Sequence, residues 1–259
     1  MGLLGSYDGN VVGGLLLGMG MTLTGACPGT VLPQVATGVE TGPRVLLGGV
    51  LGGVLYSGFG RRLQATVRDK SALEKLTVHQ TYGLGENAAI LMYEALCAAI
   101  LGAVVYFAPG EGRALVPGVV GGVLIGASQA ASLLLTGNTL GISGAYEQIG
   151  DLFWWSLAKA QGREMKSSRP SIRATAFALG TVLGSWVISR VVDIPNPVEV
   201  PVATIRALVG GIVLVFGARL AGGCTSGHGI SGMSQLSIAS IISVAAMFAG
   251  GMGLAALLR

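Results

Sequence analysis

The stretch that decides the fold reads GGIVLVFGARLAGGC and covers residues 210–224. A second copy of its pattern, GGLLLGMGMTLTGAC, covers residues 13–27. A single offset of 197 residues, with no gap, places four glycines and the final cysteine of one copy on those of the other. The chain has 44 glycines but only 3 cysteines, so the register of Cys27 with Cys224 is what indicates a true repeat.

The composition around this repeat is that of an integral membrane protein. Only 11% of the residues are charged, 51% are hydrophobic, and the mean hydropathy is +0.70. A soluble domain of this size carries roughly a quarter charged residues, so that class is excluded. The strand-like alternation of a membrane barrel is missing. The net charge of +4 is concentrated in two loops, which gives no surface for nucleic acid.

The apolar runs predict an all-α protein with about seven transmembrane helices, because each run approaches the roughly 20 residues that cross a bilayer. The first run leads into the repeated motif, so we do not interpret it as a cleaved signal peptide. The predicted spans are 11–26, 44–59, 87–108, 114–135, 172–190, 204–221 and 236–257.

Two basic loops orient these spans. Ten of the 16 Lys and Arg residues fall in loops 60–86 and 158–173. The positive-inside rule places both loops in the cytoplasm of a multi-pass protein of the plasma (inner) membrane. Cys27 then follows its span on the outer side and Cys224 follows its span on the inner side. This arrangement predicts inverted repeats with a binding site near the midplane.

Segments 28–40 and 225–236 are too polar and glycine-rich to span, so we interpret them as re-entrant loops or short half-helices lining a cavity. A weaker echo, Gly137–Gly144, follows the fourth span, with Asn138 where the cysteine would stand. We therefore expect one domain, 1–259, with repeat units 9–60, 114–158 and 204–259.

The motif residues suit a sulfur-containing anion. Glycine-rich breaks and helix ends expose N–H groups that favour anions, and a thiol adds a soft partner for sulfur. The alternative, that the cysteines merely pack as small apolar groups, stands beside this interpretation. The predicted path residues are Gly25, Cys27, Pro28, Gly29, Asn138, Arg219, Gly222, Gly223, Cys224, Thr225, Gly227 and His228.

Four of the ionisable or sulfur-bearing residues allow two interpretations each. Arg219 either lines the path or extends its charge to the headgroups. His228 either contacts the anion or lies in water at the inner mouth. Glu94 is either a proton site or paired with a polar neighbour inside the bundle. Cys97 has no glycine frame, which favours packing over a place in the path.

Several functional classes lack the motif that they require. Three cysteines cannot form a disulfide framework, and no Cys-x-x-Cys is present for a metal or thioredoxin-like site. No nucleotide-binding motif occurs, so direct use of ATP by this chain is not expected. We predict no enzyme activity, no cofactor and no metal.

The string Phe216–Gly232, with Gly-Gly-Cys-Thr-Ser-Gly-His-Gly at its centre, closely resembles the YeeE/YedE sulfur-transport family. The stretch Leu23–Gly29 looks like the companion motif of half-size members. The resemblance implies short central helices, an hourglass-shaped path and uptake of thiosulfate, with Cys27 and Cys224 as pore cysteines. Thiosulfate-transporting relatives carry a third pore cysteine in an early motif, and this chain has no such motif.

The leading hypothesis is a permease for a small sulfur-containing anion, most simply thiosulfate, embedded in the lipid bilayer. One alternative is a membrane sulfur-relay or thiol-redox protein that passes persulfide sulfur to a soluble cytoplasmic acceptor. Another is a generic small-anion channel in which the cysteines only pack. Transport that survives loss of both cysteines would select the last of these.

Overall fold

The computed structural model describes residues 7–61, 77–107, 116, 118–137, 141–162, 171–192 and 202–258. Within these ranges the chain forms helices and connections, apart from one isolated antiparallel bridge between Thr77 and Ser237. The α-helices are α1 (Asp8–Thr24), α2 (Val31–Ala36), α3 (Gly42–Leu55), α4 (Val78–Tyr82), α5 (Glu86–Phe107), α6 (Gly118–Thr136), α7 (Ser143–Ala160), α8 (Arg173–Val191), α9 (Thr204–Ala221) and α10 (Ile238–Leu257).

Two π-helical segments complete the list. One, Tyr56–Gly60, continues α3, and the other, Thr225–Gly232, follows Cys224. The second is called the π segment below. It and α2 occupy the places of the predicted half-helices, and each is far shorter than the roughly 20 residues of a spanning helix.

Each predicted span overlaps one of the long helices. Five of them, α5, α6, α8, α9 and α10, are long and apolar enough to cross a membrane. α1 has 17 residues, and α3 has 14 before its π-helical continuation, so both are slightly shorter than those five. The structure confirms the all-α membrane class, while the count of seven spans stays a prediction.

α1 and α9 pack against each other in opposite directions. A Cβ atom added at Gly13 would lie 2.3 Å from the backbone nitrogen of Ala221, and one at Gly210 would lie 2.6 Å from a methyl carbon of Thr24. The beginning of each helix therefore lies beside the end of the other. At Gly13 the backbone of α9 leaves no room for a side chain, whereas at Gly210 the nearest atoms belong to the side chains of Leu23 and Thr24.

The offset of 197 also relates the contacts to one another. Gly20 packs on Leu214, and Gly217 packs on Leu17, so each contact becomes the other when 197 is added to one partner and subtracted from the other. The same exchange holds in the second layer, where a Cβ at Gly211 would lie 3.0 Å from the Gly49 nitrogen of α3 and one at Gly14 would lie 2.8 Å from the Ala246 Cβ of α10. The contacts of α1 and α3 with α9 and α10 thus follow the exchange expected of inverted repeats, while the bounds of the repeat units stay a prediction.

The two cysteine loops share one core. Cys224 is fully buried there, and Ala26, which precedes Cys27, is 5% exposed. Close packing of this kind holds both loops in fixed positions. The buried members of the cluster are Leu17, Ala26, Val31, Val45, Ala207, Leu214, Ala218, Cys224 and Met247.

One helix is new relative to the sequence prediction. α7 occupies residues that the sequence analysis assigned to the end of a third unit and a loop. It carries Glu147, Asp151 and Lys159, which keep its hydropathy below that of a spanning helix. It packs against α3 and α8. The proposed repeat character of the unit 114–158 stays a prediction.

Part of the first basic loop contacts the end of the second repeat. The Val78 nitrogen donates to the Leu236 carbonyl at 3.0 Å, and Thr77 bridges Ser237. Most of the two basic loops lies outside the described residues. The contact nevertheless places Thr77 and Val78, in the described end of this loop, beside the connection after the π segment.

Candidate functional site

Cys27 begins the turn that leads into the short helix α2. Its carbonyl accepts a hydrogen bond from the Val31 nitrogen at 3.2 Å, and its sulfur accepts one from the Thr30 nitrogen at 3.4 Å. The Thr30 hydroxyl also lies 3.4 Å from the sulfur. The cysteine thereby takes the place that serine or threonine holds at an ordinary helix start.

Cys224 repeats this geometry at the start of the π segment. Its carbonyl accepts from the His228 nitrogen at 2.8 Å, and the backbone of Gly227 faces its sulfur. Gly227 stands 197 residues after Thr30, so equivalent backbone groups face the sulfur in both repeats. The Ser226 hydroxyl lies 3.1 Å from the Cys224 sulfur as a further partner.

The beginning of α7 meets the sulfur of Cys224. Both the backbone and the hydroxyl of Ser143, the first residue of α7, face it. The start of an 18-residue helix carries partial positive charge. Donors and positive charge favour a thiolate, and they equally favour an anion that replaces one of these bonds.

Each repeat's long helix ends on a glycine with positive φ just before its cysteine. Gly25 has φ 66° and Gly222 has φ 87°, and neither position has a heavy atom within 4 Å of an added Cβ. The glycines are needed there for the left-handed backbone conformation that ends a helix, not for space. After this turn Cys224 lies in the core, whereas Cys27 is half-buried beside it.

Arg219 lies within this arrangement and does not extend freely to the headgroups. Its guanidinium forms an ion pair with Glu147, lies 3.4 Å from the Ser143 hydroxyl, and stands 5.8 Å from the centre of the Tyr56 ring. Its Nε atom is buried and has no hydrogen-bond partner among the described residues.

A second arginine completes the charged network. Arg61 contacts Glu147 at 2.6 Å and Asp151 at 2.8 Å, and Ser57 hydrogen-bonds Asp151. Burial opposes the charge of Arg61, but the bonds to both carboxylates raise its pKa above the ordinary value. With Arg219 the network holds two positive and two negative charges, so its charges balance.

A cavity of about 330 Å³ opens next to Cys224. Its wall is polar, with backbone from six glycines and with hydroxyl, imidazole and guanidinium groups. The lining residues are Gly141, Ser143, Gly144, Arg219, Gly222, Gly223, Gly227, His228, Ser231, Gly232, Gln235, Ser237 and Ser240.

His228 is fixed in one orientation in this wall. Its Nε2 lies 3.2 Å from the Ala221 carbonyl, which can only accept, so Nε2 carries a proton. Its Nδ1 lies 2.9 Å from the Ser240 hydroxyl. A Cβ at Gly223 would come within 2.9 Å of Nε2, so the ring rests directly on the glycine backbone.

The other predicted path residues divide into those near the cysteines and those elsewhere. Pro28 is buried, a Cβ at Gly29 would come within 3.3 Å of Ile142, and Thr225 begins the π segment. Asn138 lies outside the described residues. Whether these residues contact a substrate stays a prediction.

Cys97 and Glu94 both lie on α5, which has one buried residue, Ala89. Cys97 is half-buried and hydrogen-bonded to Tyr93, and Glu94 is exposed. The structure therefore brings together Cys27, Cys224, Arg219 and His228 but leaves these two on a peripheral helix. In the described part of the chain, no three metal-ligating side chains cluster.

The sequence analysis missed three residues of α7 that reach this site. They are Ser143 on the Cys224 sulfur, Glu147 on Arg219, and Tyr146, whose hydroxyl donates to the Pro28 carbonyl at 3.0 Å. The echo Gly137–Gly144 signalled that a related unit ends here, but nothing in it indicated which later side chains point at the cysteines.

Comparisons with known proteins agree with this geometry. The family model described as sulphur transport matches residues 5–253. Two proteins named probable transporter, from Xylella fastidiosa strains 9a5c and Temecula1 / ATCC 700964, are 34% and 32% identical over 137 residues. The match covers 53% of this chain and 90% of each relative, so each relative corresponds to about half of the chain.

Proposed function

The chain belongs to the sulphur-transport family, and from that premise we propose that it is a permease for a small sulfur-containing anion, most simply thiosulfate. It is an integral membrane transporter, and what we propose is its substrate and the role of its cysteines. One observation carries it: the two cysteines occupy equivalent positions, where the Thr30 nitrogen donates to the Cys27 sulfur and the backbone of Gly227 faces the Cys224 sulfur. A ligand with a soft sulfur and oxyanion oxygens matches both kinds of partner.

The polar cavity beside Cys224 supplies the partners for the oxyanion part. Its wall offers the Arg219 side chain and several hydroxyls, and its volume of about 330 Å³ exceeds what a five-atom anion needs. Thiosulfate would contact Cys27 first, then Cys224 and the cavity. The contacts are transient hydrogen bonds to sulfur, weak enough to allow release.

The orientation belongs to the same proposal. The basic loops lie in the cytoplasm of a plasma-membrane protein, Cys27 is reached from outside, and the cavity opens inward. A soluble cytoplasmic protein that accepts the sulfur fits this scheme, because consumption of thiosulfate inside the cell keeps passive uptake running.

Uptake of radiolabelled thiosulfate into proteoliposomes tests the role of the thiols. Cys27→Ala and Cys224→Ala are each expected to lower the initial rate about tenfold, since each removes a hydrogen-bond partner of a charged ligand. Cys97→Ala is the matched control, because it removes the remaining cysteine on peripheral α5. Sulfate, which lacks the terminal sulfur, is expected to compete poorly.

Undiminished thiosulfate uptake by both variants would contradict the proposal and favour a generic anion channel. A stable persulfide on Cys224, detected by mass spectrometry after exposure to thiosulfate, would favour a sulfur relay. Free thiol throughout transport is the expected result.

A further inference from the structure

Tyr146 lies where the two cysteine loops come closest to α7. Its side chain is 2% exposed, and its hydroxyl donates to the carbonyl of Pro28, the neighbour of Cys27. One turn earlier on the same helix, Ser143 faces the Cys224 sulfur. Residues three apart share a helix face, so one face of α7 contacts both loops.

Two glycines of α3 hold Tyr146, one against its ring and one against its backbone. A Cβ at Gly49 would come within 3.0 Å of the ring carbon Cε1, and a Cβ at Gly53 within 2.3 Å of the Tyr146 carbonyl oxygen. The phenol also lies near both Cys27 and Cys224. Its position is therefore set from both sides.

We propose that Tyr146 is the gate between the two thiols and selects for anions at that point. In this proposal the ring separates Cys27 from Cys224, and the hydrogen bond from the hydroxyl to the Pro28 carbonyl holds the ring in place. For the identity of the passing anion this inference rests on the proposed function, but the separation of the thiols does not depend on it.

The selection follows from what the hydroxyl can exchange. In the closed state it donates to a neutral carbonyl. An arriving oxyanion is a stronger acceptor, because hydrogen bonds with a charged partner are about twice as strong as neutral ones. The anion therefore releases the tyrosine from Pro28, whereas a neutral solute offers no such gain.

Thiol labelling tests the gate without any transport assay. In a Cys27→Ala, Cys97→Ala chain, Cys224 is the remaining cysteine, and a membrane-impermeant methanethiosulfonate is applied in sealed vesicles. A chain that retains only Cys27 identifies the face to use. With Tyr146 present, Cys224 is expected to stay unreactive from that face. In Tyr146→Ala it is expected to react at least about tenfold faster, because reactivity follows access.

Tyr146→Phe keeps the ring but loses the bond to Pro28, so an intermediate rate is expected and a large cavity is avoided. Tyr56→Ala is the matched control, since Tyr56 is a second buried tyrosine and begins the π-helical continuation of the neighbouring α3. The proposal is overturned if Cys224 reacts no faster in Tyr146→Ala, or if Tyr56→Ala exposes it equally. The proposed function could fail in the uptake assay while this result stands.

Discussion

At the level of single residues, sulfur replaces oxygen at two helix starts. An N-cap serine or threonine presents an oxygen to the first free N–H groups, and here Cys27 and Cys224 present sulfur to the N–H of Thr30 and Gly227. A thiol accepts such bonds more weakly than a hydroxyl. A cysteine at this position is thus easily released to contact a passing ligand.

Cys224→Ser distinguishes the contribution of Cys224 to the helix start from the contribution of its soft sulfur atom to transport. Serine is a good N-cap, so the melting temperature in detergent is expected to stay near that of the parent protein. Thiosulfate uptake is expected to fall about tenfold, because a hydroxyl is a poor partner for the terminal sulfur. Parent-like uptake by this variant would show that capping alone is what Cys224 contributes.

Arg219 and Glu147 can be separated by a double substitution. Arg219→Gln leaves part of the Glu147 charge unpaired in a site where the two side chains are 18% and 17% exposed, and is expected to cost roughly 3 kcal/mol of stability. Adding Glu147→Gln removes that charge, so stability in detergent is expected to recover.

Uptake by the double variant decides the function of the arginine. If Arg219 binds the anion, uptake stays low although the fold has recovered. Recovery of uptake together with stability would instead assign the ion pair a structural role only. Measuring stability and thiosulfate uptake on the same preparations makes the comparison direct.

At the level of elements, the crossing of α1 with α9 depends on glycines that are equivalent in the two repeats. An added methyl at Gly13 meets backbone atoms of α9, whereas one at Gly210 meets mainly side-chain atoms of Leu23 and Thr24. Side chains adjust more easily than backbone. The two halves of one symmetric contact therefore differ in tolerance.

Gly13→Ala is expected to destabilise the protein by roughly 1–3 kcal/mol, the usual cost of overpacking, and Gly210→Ala by less. Gly126→Ala is the control, because a Cβ on that α6 glycine meets nothing within 4 Å. The measurement is the thermal midpoint in one detergent. Equal midpoints for Gly13→Ala and Gly126→Ala would contradict the close crossing.

At the level of the whole molecule, Cys27 follows the end of α1 and Cys224 follows the end of α9, and these two helices run in opposite directions. The connection after the π segment also touches residues of the first basic loop. Both observations agree with one topology, in which the basic loops and the cavity beside Cys224 share a side.

Labelling of introduced cysteines checks that topology. In a cysteine-free chain, Ser71→Cys and Ser167→Cys, one in each basic loop, are expected to react with an impermeant maleimide only in inside-out vesicles. Gly38→Cys, at the end of α2, is expected to react in intact cells. Labelling of the two loop positions from opposite faces would require an odd number of crossings between them and would overturn the predicted topology.

The sequence by itself determined the inverted repeat, the glycines that end α1 and α9, and the places of the half-helices. These features are local or repeated. A left-handed helix end favours glycine, a long apolar run indicates a membrane span, and two copies of one pattern give the offset between the repeats. Opposed direction followed as well, because charge in the loops orients each span.

Only the tertiary structure decided what surrounds the sulfurs. Ser143, Tyr146 and Glu147 lie on α7, which belongs to neither of the two matched units, and no spacing in the chain relates it to Cys27 or Cys224. From the sequence alone, Glu147 and Asp151 are expected to be solvated charges. In the structure they form ion pairs with Arg61 and Arg219, which come from other parts of the chain. Which distant side chains meet is set by how the helices pack. The strength of an ion pair or a hydrogen bond depends on the distance between its partners. The order of residues along the chain does not encode that distance.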